Sequence, residues 1–176
     1  ENQIRSLGKT DYQVTLFDCA KVDSSHGISY MAMSHFLLSL GFLSNWIGMM
    51  EFNLMLENKY DKFLATVKEQ NAGKDWYDIR KKMSAVPALK KAILTFMAED
   101  EYEETRKLID ERIKTYDATK LKEDLSLYLE HYPEKKIVFF IDEMSEALSQ
   151  KKINLLDLEG LSEALSSLGN RVWTVG

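Results

Sequence analysis

Two adjacent carboxylates, Asp142 and Glu143, directly follow a run of five apolar residues, IVFFI at 137–141. Such a run predicts a strand that is covered on both faces of a parallel sheet. Ligands of parallel α/β sheets bind beyond the carboxyl ends of the strands. We therefore expect Asp142 to lie where a ligand would bind.

Two interpretations of these acids are open. In the chemical interpretation, Asp142 helps to hold a magnesium ion, usually through water, while Glu143 orients and polarises an attacking water molecule. In the mechanical interpretation, Asp142 only caps a helix over residues 144–148, which would stabilise that helix by ~1 kcal/mol. The pattern alone favours neither.

Two further short segments predict strands that would form a sheet around these acids. Residues 13–17 (QVTLF) are β-prone and are closed by Asp18, and residues 171–175 (RVWTV) predict a last strand. Strands separated by helices favour parallel pairing with right-handed crossovers. The sequence thus predicts an α/β fold, with a short parallel sheet of about three strands and a majority of helix.

The remaining segments predict helices. Residues from about 60 to 131 are rich in charge, with apolar residues at helical spacing, and predict a helical insertion within one domain of residues 1–176. The predicted helix starts are Ser24 or Ser25 before Gly27, Ser44 or Asn45, and Ser84 with Pro87. The last predicted helix covers about 158–168, and Gly169-Asn170 is predicted to cap its end.

The composition indicates one globular domain. With 176 residues, of which 45% are hydrophobic and 29% charged, the chain can build a hydrophobic core. The net charge of -5 gives the surface as a whole no attraction for nucleic acid. The single cysteine, Cys19, cannot form an internal disulfide and is expected to be a buried, inert thiol. The histidines, His26, His35 and His131, lack the spacing of metal ligands.

One uncharged stretch, residues 24–50, is long enough to span a bilayer. It also contains several serines, three glycines and two histidines, which favours a pair of buried helices. The first ten residues lack the apolar core of a signal peptide. We expect no membrane association and a cytoplasmic protein.

The end of the chain resembles a known family. The segments FFIDEMSEAL and LLDLEGLSEALSSLGNRVWTVG resemble the Walker B region and the following strand of large bacterial P-loop ATPases, in particular the AAA-like ATPase of BREX-type phage-defence systems. The likeness covers residues 136–176, and the rest only as an order of elements. It implies ATP hydrolysis, with Asp142 as the Walker B residue for Mg and ATP and Glu143 as the catalytic acid.

The phosphate loop of that family is missing. The motif G-x-x-x-x-G-K-[ST] cradles phosphate with backbone amides. Its one candidate here is Gly8-Lys9-Thr10, but Gln3 stands where the first glycine is required, and a predicted strand follows where the motif requires a helix. We therefore expect no phosphate loop in this chain.

These features together predict a fragment of a larger ATPase. In AAA-type sheets, the resemblance implies, the strand that leads into the phosphate loop lies beyond the last of our three strands. Without it, those strands would be neighbours in a sheet with an exposed edge. We expect ATP and Mg to bind the complete protein but not this inactive piece. The edge could pair with another copy, and the full-length protein could act on DNA or a protein.

Two other functions remain open. One is a non-enzymatic helical interaction module, in which Trp46, Trp76 or Tyr102 would contact a protein or DNA partner. The other is a metal-dependent nuclease that uses Asp142 and Glu143, although no further acids stand at telling spacings. An ATPase fragment predicts exposed acids beside an uncovered strand edge. A module predicts acids that cap a helix, in a sheet whose edges are covered.

Overall fold

The structure, a computed structural model, describes residues 11–21 and 26–176. Its strands are β1 (Asp11–Asp18), β2 (Lys135–Asp142) and β3 (Val172–Val175). Its α-helices are α1 (Gly27–Ser39), α2 (Trp46–Leu56), α3 (Tyr60–Gln70), α4 (Trp76–Ile79), α5 (Ala85–Ile93), α6 (Glu99–Lys114), α7 (Ala118–His131), α8 (Met144–Ser149) and α9 (Leu155–Ser166). Two short 3₁₀ helices, Cys19–Lys21 and Gly169–Arg171, follow β1 and precede β3. The prediction of an α/β, majority-helical fold is confirmed, since 63% of the described residues are helical.

The three strands form one parallel sheet in the order β1-β2-β3. Helix α1 packs against β1, α9 packs against β3, and these two helices contact each other. Both crossovers therefore lie on the same side of the sheet, as expected when right-handed crossovers join strands that are added in one direction. That side carries the core, with Thr15, Ile137 and Phe139 fully buried.

The opposite side of the sheet is bare. Val14, Leu16, Phe140, Trp173 and Val175 are between 39% and 67% exposed on this side, and no described element covers them. The prediction that residues 137–141 are covered on both faces is therefore wrong. Successive side chains of a strand point to opposite faces, and both crossovers lie on only one of them. The bare face is unusual, because parallel sheets are normally covered on both sides.

Two predicted helix starts agree with the structure, whereas the last helix, predicted over about 158–168, begins three residues earlier and ends two residues earlier. Asn45 caps α2, because its side chain accepts a hydrogen bond from the Ile47 amide at 2.9 Å. Ser84 directly precedes α5. The predicted cap at Gly169-Asn170 is wrong, since α9 ends at Ser166 and Gly169 instead begins a 3₁₀ turn with φ of 69°.

The predicted starts at Ser24 and Ser25, and the Gly8-Lys9-Thr10 segment, lie outside the described residues. Residues 60–131 are all described, and none of them lies in a strand. Within the described ranges, no helix has both the length and the apolar character needed to cross a membrane.

A buried carboxylate organises the first helices after β1. Glu51 on α2 is fully buried. It accepts hydrogen bonds from the Tyr60 hydroxyl at 2.9 Å, from Trp76 Nε1 at 2.8 Å and from Arg80 Nη1 at 3.2 Å. The Leu43 amide donates to its second oxygen at 3.1 Å. One charged residue thus connects α2, α3, α4 and the turn before α2.

Arg171, just before β3, fixes the entry into β2. Its guanidinium donates to the carbonyls of Leu129 at 2.9 Å and Tyr132 at 2.7 Å, which belong to the end of α7 and the residue after it. It also donates to the Lys135 carbonyl at the start of β2 at 2.9 Å. Because unpaired carbonyls at a helix end need donors, these bonds both cap α7 and align β2 with β3.

Candidate functional site

The acids at the carboxyl edge of the sheet come from two strands. Asp18 and Asp142 are the last residues of β1 and β2, and they are register partners across the parallel pair. Asp142 is exposed and Asp18 is partly exposed. From the sequence, Asp18 is predicted only as the residue that closes a strand. Two strands that each end in Asp were the available signal, because parallel strands end at the same edge.

The connection from β2 to α8 is tight. Helix α8 begins at Met144, so Glu143 is the single residue between strand and helix, in the left-handed conformation with φ of 57° and ψ of 28°. A non-glycine residue in this conformation costs on the order of 1 kcal/mol. The surrounding fold therefore holds Glu143 in place at the mouth of the sheet.

Neither acid caps α8 in the predicted way. Glu143 occupies the N-cap position, but its side chain accepts no capping hydrogen bond. Asp142 Oδ1 accepts from the Glu143 amide at 2.9 Å, which is not an amide of the helix itself. The interpretation of Asp142 as the N-cap of residues 144–148 is therefore wrong. Both carboxylates remain exposed beyond the end of the central strand.

The acids influence one another electrostatically. Repulsion from Asp142, and secondly from Glu146, raises the pKa of Glu143 above its ordinary value. The pKa of Asp18 is lowered, chiefly by its hydrogen bond with Lys21 Nζ, which lies 2.9 Å from Asp18 Oδ2. Lys152, from the turn after α8, donates to the Ala20 carbonyl and adds positive charge near Asp18. The edge thus carries the carboxylates of Asp18, Asp142 and Glu143, with Glu146 close to Glu143, and the ammonium groups of Lys21 and Lys152.

A cavity of about 580 Å³ opens at this edge. It reaches from the bare face at Phe140 to the ends of the strands at Asp18 and Asp142, with Lys21 and His35 on its wall. The imidazole of His35 lies 5.8 Å from the Phe17 ring, centroid to centroid, and burial lowers its pKa. The volume of the cavity and its mixture of apolar and charged residues are typical of sites that bind small molecules.

The edge could bind Mg²⁺ only with help from a ligand. The described residues contain no group of three His, Cys, Asp or Glu placed to hold a metal ion. Magnesium keeps several waters and binds through one or two carboxylates together with substrate phosphates. Asp142, with Asp18 beside it, meets the protein's part of that requirement. A nuclease that holds its metal by carboxylates alone is not supported.

The aromatic residues considered for partner binding are largely in the core. Trp76 and Tyr102 are 1% and 3% exposed. Trp46 is partly buried, and the Arg106 guanidinium lies 3.6 Å above its ring centre. These side chains stabilise the helical layer and do not form an exposed contact surface.

Cys19 is expected to be unreactive in the folded protein. The thiol is fully buried, and burial, followed by the charges of Asp18 and Asp142, raises its pKa to about 11. Since the thiolate is the reactive form, iodoacetamide at about pH 8 should label native Cys19 at least ~100-fold more slowly than in urea. Mass spectrometry of timed samples measures both rates. Equal rates would show that the thiol is accessible and would contradict this placement.

Comparison with known proteins adds no identification. No protein-family model matches the chain, and no curated protein or solved structure is significantly similar to it.

Proposed function

We propose that the carboxyl edge of this sheet is the acidic half of a Mg-ATP hydrolysis site of the P-loop type. Asp142 binds Mg²⁺ through water, and Glu143 is the base that polarises the attacking water. The phosphate-binding loop comes from outside the described residues, and the full-length protein hydrolyses ATP, in phage defence or in related work on DNA.

One observation carries this proposal: both acids are exposed beyond the end of the central strand, and neither caps α8. A helix cap was the only structural role that the sequence offered for Asp142. Since Asp142 is not a helix cap, Asp142 and Glu143 have no known structural role, and they lie at the edge where parallel sheets bind ligands. The tight, strained connection at Glu143 is also typical of a residue held for function.

The sheet supports the proposal in a second way. The order β1-β2-β3, with all strands parallel, is the order that the resemblance to P-loop ATPases implies for these three segments. Among the described strands, β1 and β3 are each paired on one side only. The free side of β3 is where the strand that leads into a phosphate loop would add.

The interaction module receives less support. It required acids that cap a helix and aromatic residues on the surface. The carboxylates are exposed, and Trp76 and Tyr102 are buried. The aromatic residues of the long helical layer are explained by their packing in its hydrophobic core.

Calorimetric titration with Mg-ATP tests the proposal. The chain is compared with a longer version of the protein that also contains a phosphate loop. We expect binding by the longer version only, because triphosphate affinity depends mainly on backbone amides of that loop. In the longer version, Asp142→Asn should weaken Mg-dependent binding by about tenfold or more, because it removes the negative charge that holds the water ligands of the metal.

Asp157→Asn is the matched control. Asp157 is an exposed aspartate in the first turn of α9, and it does not line the cavity that Asp18 and Asp142 border. This variant should bind Mg-ATP like the unmodified protein. If the longer version does not bind Mg-ATP, or if the Asp142→Asn variant binds Mg-ATP as tightly as the Asp157→Asn variant, the proposal is wrong.

A further inference from the structure

The bare face of the sheet has an ordered charge pattern. Side chains on this face come from every second residue of each strand, and the register aligns them in four rows across the sheet. From the amino to the carboxyl edge, the rows are Tyr12 and Lys136; Val14, Val138 and Trp173; Leu16, Phe140 and Val175; and Asp18 and Asp142. The face is thus basic at one end, apolar in the middle and acidic at the other end.

We propose that a second copy of this chain covers this face. A two-fold axis that lies between the two copies and runs across the strands exchanges the first row with the fourth and the second row with the third. Lys136 of each copy then meets Asp142 of the other, and Tyr12 meets Asp18. The apolar rows of the two copies lie on each other, so that Trp173 covers Val175.

The alternative arrangement of two copies is unfavourable. If the axis ran along the strands, Asp142 would meet Asp142, and Lys136 would meet Lys136. Like charges placed opposite each other oppose association. The charge pattern therefore selects the arrangement in which the strands of the two copies run in opposite directions, with the sheets stacked about 10 Å apart as in β-sandwiches.

The area of the bare face determines the expected affinity of the dimer. The strands lie about 4.8 Å apart, with about 20 Å of β1 and of β2 but only about half that length of β3 in these rows, so they present on the order of 250 Å² of projected area per copy. Stable complexes bury about 800 Å² of accessible surface on each partner. We therefore expect a weak, reversible dimer, with a dissociation constant on the order of 100 μM.

The dimer would occupy the proposed site. Asp142 would pair with Lys136 of the other copy, and the stacked sheet would cover Phe140 at the mouth of the cavity. Bound Mg-ATP and self-association would then exclude each other. The dimer itself does not depend on the proposed function, because its test requires neither nucleotide nor metal.

Sedimentation equilibrium of the chain over a range of concentrations tests this inference. We expect a monomer–dimer equilibrium that Leu16→Lys shifts to monomer, with at least ~10-fold weaker association, because a charge would be buried in the apolar rows. Leu16 is 67% exposed, so the fold should tolerate the change, which circular dichroism verifies. The control is Leu108→Lys on α6, where a leucine of 57% exposure lies away from the sheet. This variant should dimerise normally.

Charge reversal tests the orientation. Lys136→Asp and Asp142→Lys should each weaken the dimer, and the double variant should restore it, because the pairs are then exchanged. A monomer at every concentration would overturn the inference, and the bare face would then belong to another protein segment. Equal effects of Leu16→Lys and Leu108→Lys, or no restoration by the double variant, would also overturn it.

Discussion

Replacing Glu51 with alanine is expected to lower the free energy of unfolding by about 3–5 kcal/mol, the range for leaving the partner of a buried ion pair uncompensated. Glu51 is fully buried and Arg80 is only 11% exposed. The variant leaves the Arg80 guanidinium, the Trp76 indole N–H and the Tyr60 hydroxyl without their acceptor.

The effect should extend beyond one helix. The bonds of Glu51 join α2 to residues that lie 8 to 29 positions away along the chain. Loss of the carboxylate therefore loosens the contacts of α3 and α4 with α2. Glu51→Gln keeps the size and one acceptor oxygen, so its loss should be smaller, about 1–3 kcal/mol. The order Ala, then Gln, then unmodified protein is the expected ranking of stability.

Urea unfolding followed by circular dichroism measures these differences. Glu57→Ala is the matched control, since Glu57 lies just after α2 and forms an exposed ion pair with Lys59 at 2.6 Å. Such pairs contribute at most about 1 kcal/mol. If Glu51→Ala were no more destabilising than Glu57→Ala, Glu51 would not be the organising contact described above.

The strands were predictable because each is a short β-prone segment beside a turn. Residues 13–17 and 137–141 both lie within observed strands, and 172–175 of the predicted last strand are β3. Parallel pairing followed from the helices between them. The coverage of β2 was not predictable in the same way. An apolar run looks the same whether helices lie on both sides of a sheet or on one, and the crossovers decide which.

The polar contacts were the least predictable part of the fold. Glu51 stands in the apolar segment WIGMMEFNLML, and nothing local identifies its partners, which lie on other elements. Asp18 faces Asp142 only through the register of two strands 124 residues apart. Asp142 and Glu143 were found from sequence because the strand and the acids are adjacent. The exclusion of Asp142 as the helix cap needed the hydrogen-bond partner of its carboxylate, the Glu143 amide, which the sequence does not show.

In a longer version of the protein that also contains a phosphate loop, the proposed function predicts that Glu143→Gln reduces ATP turnover by about 100-fold or more, the usual contribution of a general base. Binding of Mg-ATP should persist, because the proposed role of Glu143 is to act on water and not on the metal. Steady-state hydrolysis and calorimetric binding, measured on the same samples, separate the two effects. A variant that loses both equally would place Glu143 in binding and not in catalysis.

Glu146→Gln provides the control and a test of the electrostatics. Glu146 is an exposed acid on α8 whose carboxylate accepts from Gln150 Nε2 at 2.6 Å. Its removal should leave turnover nearly unchanged.

Glu146 is, after Asp142, the second cause of the raised pKa of Glu143. A base must be ionised to act, so activity should fall as the pH drops through this pKa. Without Glu146 the pKa is lower, and the acid limb of the pH–rate profile should move to lower pH. If Glu143 is not the base, the limb should stay in place.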